Sequence, residues 1–135
     1  MAEIGRLNSL EILHHTPQGF YLDGAEHGEI LLPSRYVTDS MKEGNMITVF
    51  VYRDSEDRLI ASTDRPKAIV GEFAGLKVTS VHPNVGAFLD WGLPKDLLLP
   101  YREQTKPARK DQIIVVRIIL DPKSERLVAL SLIHI

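Results

Sequence analysis

Two stretches of the chain carry the same residue types in the same order, and each holds one aromatic side chain that could do chemistry. They are GFYLDGAEHGEILLP, Gly19 to Pro33, and GAFLDWGLPKDLLLP, Gly86 to Pro100. At an offset of 67 residues Tyr21 falls on Phe88, Leu22 on Leu89, Asp23 on Asp90 and Pro33 on Pro100. Alternate side chains of a β-strand face opposite sides. If Ala87 and Leu89 point into a core, Phe88 and Asp90 point out. An outward aromatic offers a stacking face to an unpaired nucleobase, worth about 1–3 kcal/mol per base. The opposite phase would bury Phe88, a residue type common in cores. Trp91 shares the parity of Leu89 and is expected to pack at a barrel mouth or a domain interface.

Basic side chains are the natural companions of such a platform, because Lys and Arg contacts to phosphate carry most nucleic-acid affinity. The second stretch contains Lys95 and is followed by Arg102, Lys106, Arg109, Lys110 and Arg126, with KPARK the densest cluster. Residues 1–66 hold six Lys and Arg against eleven Asp and Glu, a net −5, whereas residues 67–135 hold ten against seven, a net +3. Any polyanion should therefore prefer the second half.

Other chemistries find less support. His14 and His15 are adjacent, so on a strand they diverge and cannot share a metal. His27, His82 and His134 complete no ligand spacing with Asp or Glu. Asp23 and Asp90 each precede a turn, where a carboxylate caps backbone N–H groups. Ser131 sits in no nucleophile-elbow pattern, and no glycine-rich phosphate loop opens a helix. The expectation is a protein that is not an enzyme, with no metal and no cofactor.

The chain is 135 residues long, which alone suggests one domain, but the internal match overrides that prior. It extends to IGRL (Ile4 to Leu7) with VGEF (Val70 to Phe73), offset 66, and to DRLIAST (Asp57 to Thr63) with ERLVALS (Glu125 to Ser131), offset 68. Single-residue shifts between such anchors are what a duplicated domain with adjusted loops leaves. Two domains are expected, 1–65 and 67–135, joined by TDRPK. With no cysteine there is no disulfide framework. No apolar run approaches a membrane span, and the N-terminus lacks a signal-peptide pattern, so a cytoplasmic protein without a membrane partner is expected.

Short apolar runs bounded by Gly, Pro, Asn and Asp dominate, and helical spacing is scarce. They predict strands over 5–14, 20–23, 29–32, 46–52 and 59–63, then 71–81, 87–91, 96–99, 112–120 and 127–130. QIIVVRIIL (Gln112 to Leu120) carries one charge in nine residues and reads as a strand buried on most of its length. Pro33 and Pro100 end their strands, because proline donates no ladder hydrogen bond. A short helical turn and loop should follow each. The fold class is all-β: two tandem five-stranded barrels of the oligonucleotide-binding (OB) type.

The stretch GAFLDWGLPKDLLLP, followed by RKDQIIVVRIILDPKSERLVALS, resembles the S1 RNA-binding domain, an OB-fold variety. The whole chain resembles the N-terminal tandem S1-like domains of the bacterial conserved virulence factor B family. That resemblance implies single-stranded RNA as partner, a regulatory role in gene expression and virulence, and further S1-like and winged-helix domains in the full-length chain. It places the RNA-facing aromatic on Phe88, and on Tyr21 in the first repeat, and an acidic–basic pair on Asp121 and Arg126. In the first repeat only Arg58 matches, with Arg53 where Asp121 would stand. Two features depart from the family pattern. The aromatic before the glycine is replaced by Val85 and Gln18, and the histidine ending strand three is replaced by Leu99 and Leu32. The rival expectation is a protein-interaction scaffold built from the same barrels.

Overall fold

The long strand that opens each half is shared between two partners, and that sharing closes a barrel. The computed structural model describes residues 2–103 and 107–131, so Lys106 and His134 lie outside the described residues. In the first half β1 (Leu7–Thr16), β2 (Gly19–Asp23), β3 (Glu29–Pro33), β4 (Met46–Arg53) and β5 (Leu59–Ser62) form a closed barrel in the order β1-β2-β3-β5-β4. The second half repeats it with β6 (Phe73–His82), β7 (Gly86–Asp90), β8 (Leu97–Pro100), β9 (Ile113–Leu120) and β10 (Leu127–Ser131) in the order β6-β7-β8-β10-β9. Both are OB-fold barrels. The chain divides into two compact units, Met1–Arg65 and Pro66–Ile135.

The first part of β1 pairs with β4, from Leu7↔Phe50 to Glu11↔Met46, and the rest pairs with β2, from Ile12↔Leu22 to Thr16↔Gly19. The register slips between Ile12 and His14, and in β6 it slips at the equivalent place between Val78 and Ser80. Such a bulge bends the strand and lets a short sheet close on itself. The β3–β5 and β8–β10 pairs are parallel, and the others are antiparallel.

Gly19 and Gly86 open β2 and β7 at φ +142° and +143°. A Cβ at Gly19 would strike the carbonyl oxygen of Leu32, and one at Gly86 that of Leu99. Only glycine lets these strands approach so closely. That approach fixes the register Gly86↔Pro100, Phe88↔Leu98 and its counterpart Gly19↔Pro33, Tyr21↔Leu31. The strand period then does the rest. Ala87 and Leu89 are fully buried and Phe88 between them is partly exposed, and Phe20 and Leu22 are buried around a partly exposed Tyr21.

The core of the first barrel is built on Ile12, Leu22, Ile30, Leu32, Val49 and Val51, and that of the second on Leu76, Val78, Leu89, Leu97, Leu99 and Ile118. Single 3-10 turns follow the prolines, at Ser34–Tyr36 and Tyr101–Glu103, where short helical turns were expected. Trp91 is 2% exposed inside the second unit, and its indole N–H donates to the Lys95 carbonyl at 2.7 Å. Among the described residues no helix is long and apolar enough to cross a membrane.

One expectation is corrected. β9 is not buried on most of its length: Ile114, Val116 and Ile118 are inside, but Ile113 and Val115 are 70% and 53% exposed. No described segment of the barrel covers that outer face. Because both faces of the strand are apolar, the alternation is invisible in the sequence.

Candidate nucleic-acid interface

In the first barrel the site begins with Tyr21 on β2. Its cross-strand partner is His14 on β1, and the two rings stack with centroids 5.1 Å apart and an interplanar angle of 19°. The Tyr21 hydroxyl donates to Oε1 of Gln18 at 3.1 Å. A carboxylate can only accept, so His14 donates its Nε2–H to Oε1 of Glu29, the first residue of β3, at 3.0 Å. Leu31 and Ile60 form the parallel register pair next to Tyr21. Tyr21, Gln18, Glu29, Leu31 and Ile60, with His27, Asp54, Arg58 and Leu59, line an open pocket of about 340 Å³.

Arg58 is not a free cation in this pocket. Its guanidinium lies 3.2 Å from Asp54 and 2.6 Å from Glu56. Burial pushes the Asp54 carboxyl up, but backbone N–H groups of Arg58 and Glu56 and the Arg58 guanidinium outweigh it and hold the carboxyl below its usual range. The fork is thus already occupied by carboxylates of its own turn.

The turn also corrects the sequence alignment. Arg53 pairs with Leu59 as Leu120 pairs with Leu127. The Asp54 N–H donates to the Arg58 carbonyl at 2.9 Å, and the Asp121 N–H to the Arg126 carbonyl at 2.8 Å. Asp54, not Arg53, therefore stands in the place of Asp121, and the extra residue of the second repeat lies inside its turn. Both barrels keep the acidic–basic pair.

In the second barrel Phe88 sits across from Ser80, with the His82 ring edge-on at 5.0 Å and 86°. The Asp121 carboxyl accepts the Ser124 hydroxyl at 2.9 Å and the Lys123 N–H at 3.2 Å. These bonds, the Ser124 one foremost, and the nearby Arg102 charge lower its pKa. Arg102 and the β9–β10 turn that ends at the exposed Arg126 are thereby brought together. Lys95 is half-buried in the β7–β8 turn, where its carbonyl serves Trp91. Arg109 and Lys110 are exposed on the β8–β9 connection. That loop docks on β6 through Asp111 N–H to Val78 O and Val78 N–H to Gln112 O, both 2.8 Å, two residues before Ser80.

Asp23 and Asp90 cap their own turns, accepting from the backbone N–H of Ala25 at 2.8 Å and Gly92 at 3.1 Å. Among the described residues no three His, Asp or Glu side chains gather as a metal site. Sequence reasoning weighed the histidines only as metal ligands and missed His14 and His82 as neighbours of the aromatic platforms. The available signal was the β1–β2 register across TPQG, which needed the bulge to be known.

An outward aromatic on the second strand of a closed five-stranded barrel, beside an acidic–basic turn, defines an S1-type domain, and residues 4–64 match the S1 domain family. The second barrel repeats that topology, and the chain is similar over most of its length to conserved virulence factor B. The "Conserved virulence factor B" of Staphylococcus saprophyticus is 24% identical over 119 residues, covering 83% of this chain and 40% of that protein. The "Uncharacterized protein YitL" of Bacillus subtilis is 31% identical over 114 residues, 81% of this chain and 38% of that one. The crystal structure of a multidomain protein with nucleic acid binding domains from Streptococcus pneumoniae shares the fold. It has a TM-score of 0.81 at 19% identity, over 97% of this chain and 46% of that one. The chain thus spans less than half the length of each.

Proposed function

We propose that the chain binds single-stranded RNA on the outward faces of its barrels, without catalysis, as the RNA-binding part of a cytoplasmic bacterial regulator of gene expression. The observation that carries this reading is the partly exposed Phe88 between fully buried Ala87 and Leu89, repeated by Tyr21 at the equivalent position. A ring held rigidly outward by its own strand can stack on a base only where that base is unpaired. The net +3 of the second half supplies phosphate attraction. The relatives' length leaves room for further S1-like and winged-helix domains, and the name of the staphylococcal relative supports the link to virulence.

A second reading, docking of a protein, is favoured by one feature: Phe73, Ile113 and Val115 expose apolar surface on β6 and β9. Fluorescence anisotropy with labelled single-stranded RNA, single-stranded DNA and duplex RNA at two salt concentrations separates the two. Tighter binding to the single strand is expected. Equal affinity for a duplex of the same length refutes stacking, and absence of binding at low salt favours docking.

A further inference from the structure

We infer that the pocket beside Tyr21 reads a guanine base through the Glu29 carboxylate, an inference that rests on the RNA-binding reading above. The pocket is poorly suited to phosphate. Its Arg58 is clasped by Asp54 and Glu56, and Glu29 and Asp54 line it with negative charge. It is well suited to a flat ring, because Leu31, Leu59 and Ile60 supply apolar surface and Tyr21 an aromatic wall. His14 covers one face of Tyr21 and steadies it.

Glu29 then decides which ring. Its Oε1 accepts from His14, and among the described residues Oε2 accepts nothing. The side chain is 51% exposed. An ionised carboxylate needs donors. Guanine presents two on adjacent atoms, N1–H and N2–H, matching the two carboxylate oxygens. Adenine and cytosine each offer one amine beside a ring nitrogen lone pair, and uracil one N–H between two carbonyl oxygens, so all three set an acceptor against the carboxylate.

The second barrel lacks the device. The register puts Asp96 in the place of Glu29, and its carboxylate is already held by the Thr79 hydroxyl at 2.7 Å. The acidic barrel therefore supplies base selectivity and the basic one supplies affinity for the backbone.

The test uses the 135-residue chain and a fluorescein-labelled oligouridine 12-mer, alone or with one central guanosine, inosine, adenosine or cytidine. The guanosine oligomer should bind roughly tenfold more tightly than oligouridine, within what a bidentate side-chain–base pair discriminates. Inosine, which lacks the 2-amino group, should lose most of that gain. Glu29→Gln should bring the guanosine-to-uridine ratio close to one with the melting temperature in place, and Asp96→Asn should keep the preference. Guanosine binding no tighter than adenosine, or a preference that survives Glu29→Gln, overturns the inference and leaves RNA binding standing. Failure to bind any of the oligomers overturns both.

Discussion

Phe88 and Leu89 are neighbours on one strand with opposite duties, and truncating each in turn separates function from folding. Leu89 is fully buried, so Leu89→Ala should cost about 2–5 kcal/mol of stability. Phe88 is partly exposed and its ring contact is the edge-on His82 at 5.0 Å, a pair worth about 0.5–1.5 kcal/mol beyond the area it buries. Phe88→Ala should therefore destabilise the second barrel by about 2 kcal/mol, the ring contact added to the loss of a partly buried side chain. Its effect on RNA is read separately: one lost stacking platform costs about 1–3 kcal/mol, a rise in Kd of about 5- to 150-fold. The salt slope should hardly change, since no phosphate contact is removed. The single tryptophan, Trp91, is buried in the second unit and so reports that barrel's unfolding by its fluorescence. Urea titration read at Trp91, beside anisotropy with single-stranded RNA, gives both quantities on one sample. If Phe88→Ala leaves affinity within twofold while Trp91 reports a folded barrel, the stacking argument is wrong.

Arg126→Ala should weaken RNA binding and reduce the salt slope by about 0.7 for one phosphate contact on a single strand. Arg58→Ala, whose guanidinium is already held by Asp54 and Glu56, should change both far less, and equal effects in a salt titration would refute the charge division. Ala25 sits at φ 55°, where Gly92 stands at φ 96° in the second barrel. Ala25→Gly should stabilise the first barrel by about 1 kcal/mol in a urea melt, because the left-handed region strains any side chain with a Cβ. Tyr52 is buried, and burial foremost, with the Tyr36 phenol next, pushes its hydroxyl up to about 12. The raised pKa means that the neutral phenol is the form the fold favours. Its contribution is complete below about pH 10 and is lost as pH rises toward 12, at about 1.4 kcal/mol per pH unit. Tyr52→Phe should flatten that alkaline limb in urea melts at pH 9 and 11, and an unchanged limb would refute the assignment.

The barrels were legible in the sequence because their constraints are local and repeated. Gly86, the Ala87–Leu89 alternation and Pro100 fix a strand's start, phase and end within fifteen residues, and the chain states them twice. The strands found differ from those expected by no more than two residues at any end. What stayed hidden depends on partners distant in sequence. His14 meets Tyr21 only because β1 bulges between Ile12 and His14, and no residue type announces that bulge. Asp54 was displaced by Arg53 in the alignment because the added residue falls inside a turn, where only the Asp54–Arg58 and Asp121–Arg126 backbone bonds define equivalence. The outer face of β9 was misread because Ile113 and Val115 are of the same type as the buried residues between them.

Closure of each ladder bears on how the two copies could drift apart. In an open sheet a duplicate can add its strands to the first copy's edge, and each copy then constrains the other's sequence. Here β4 returns to β1 and β9 returns to β6, so each set of backbone partners is complete within its own sixty-odd residues. Once doubled, such a unit is free to specialise. One copy can accumulate carboxylates and the other lysines and arginines with no hydrogen-bond ladder at stake, and a single ancestral surface becomes two with different tastes.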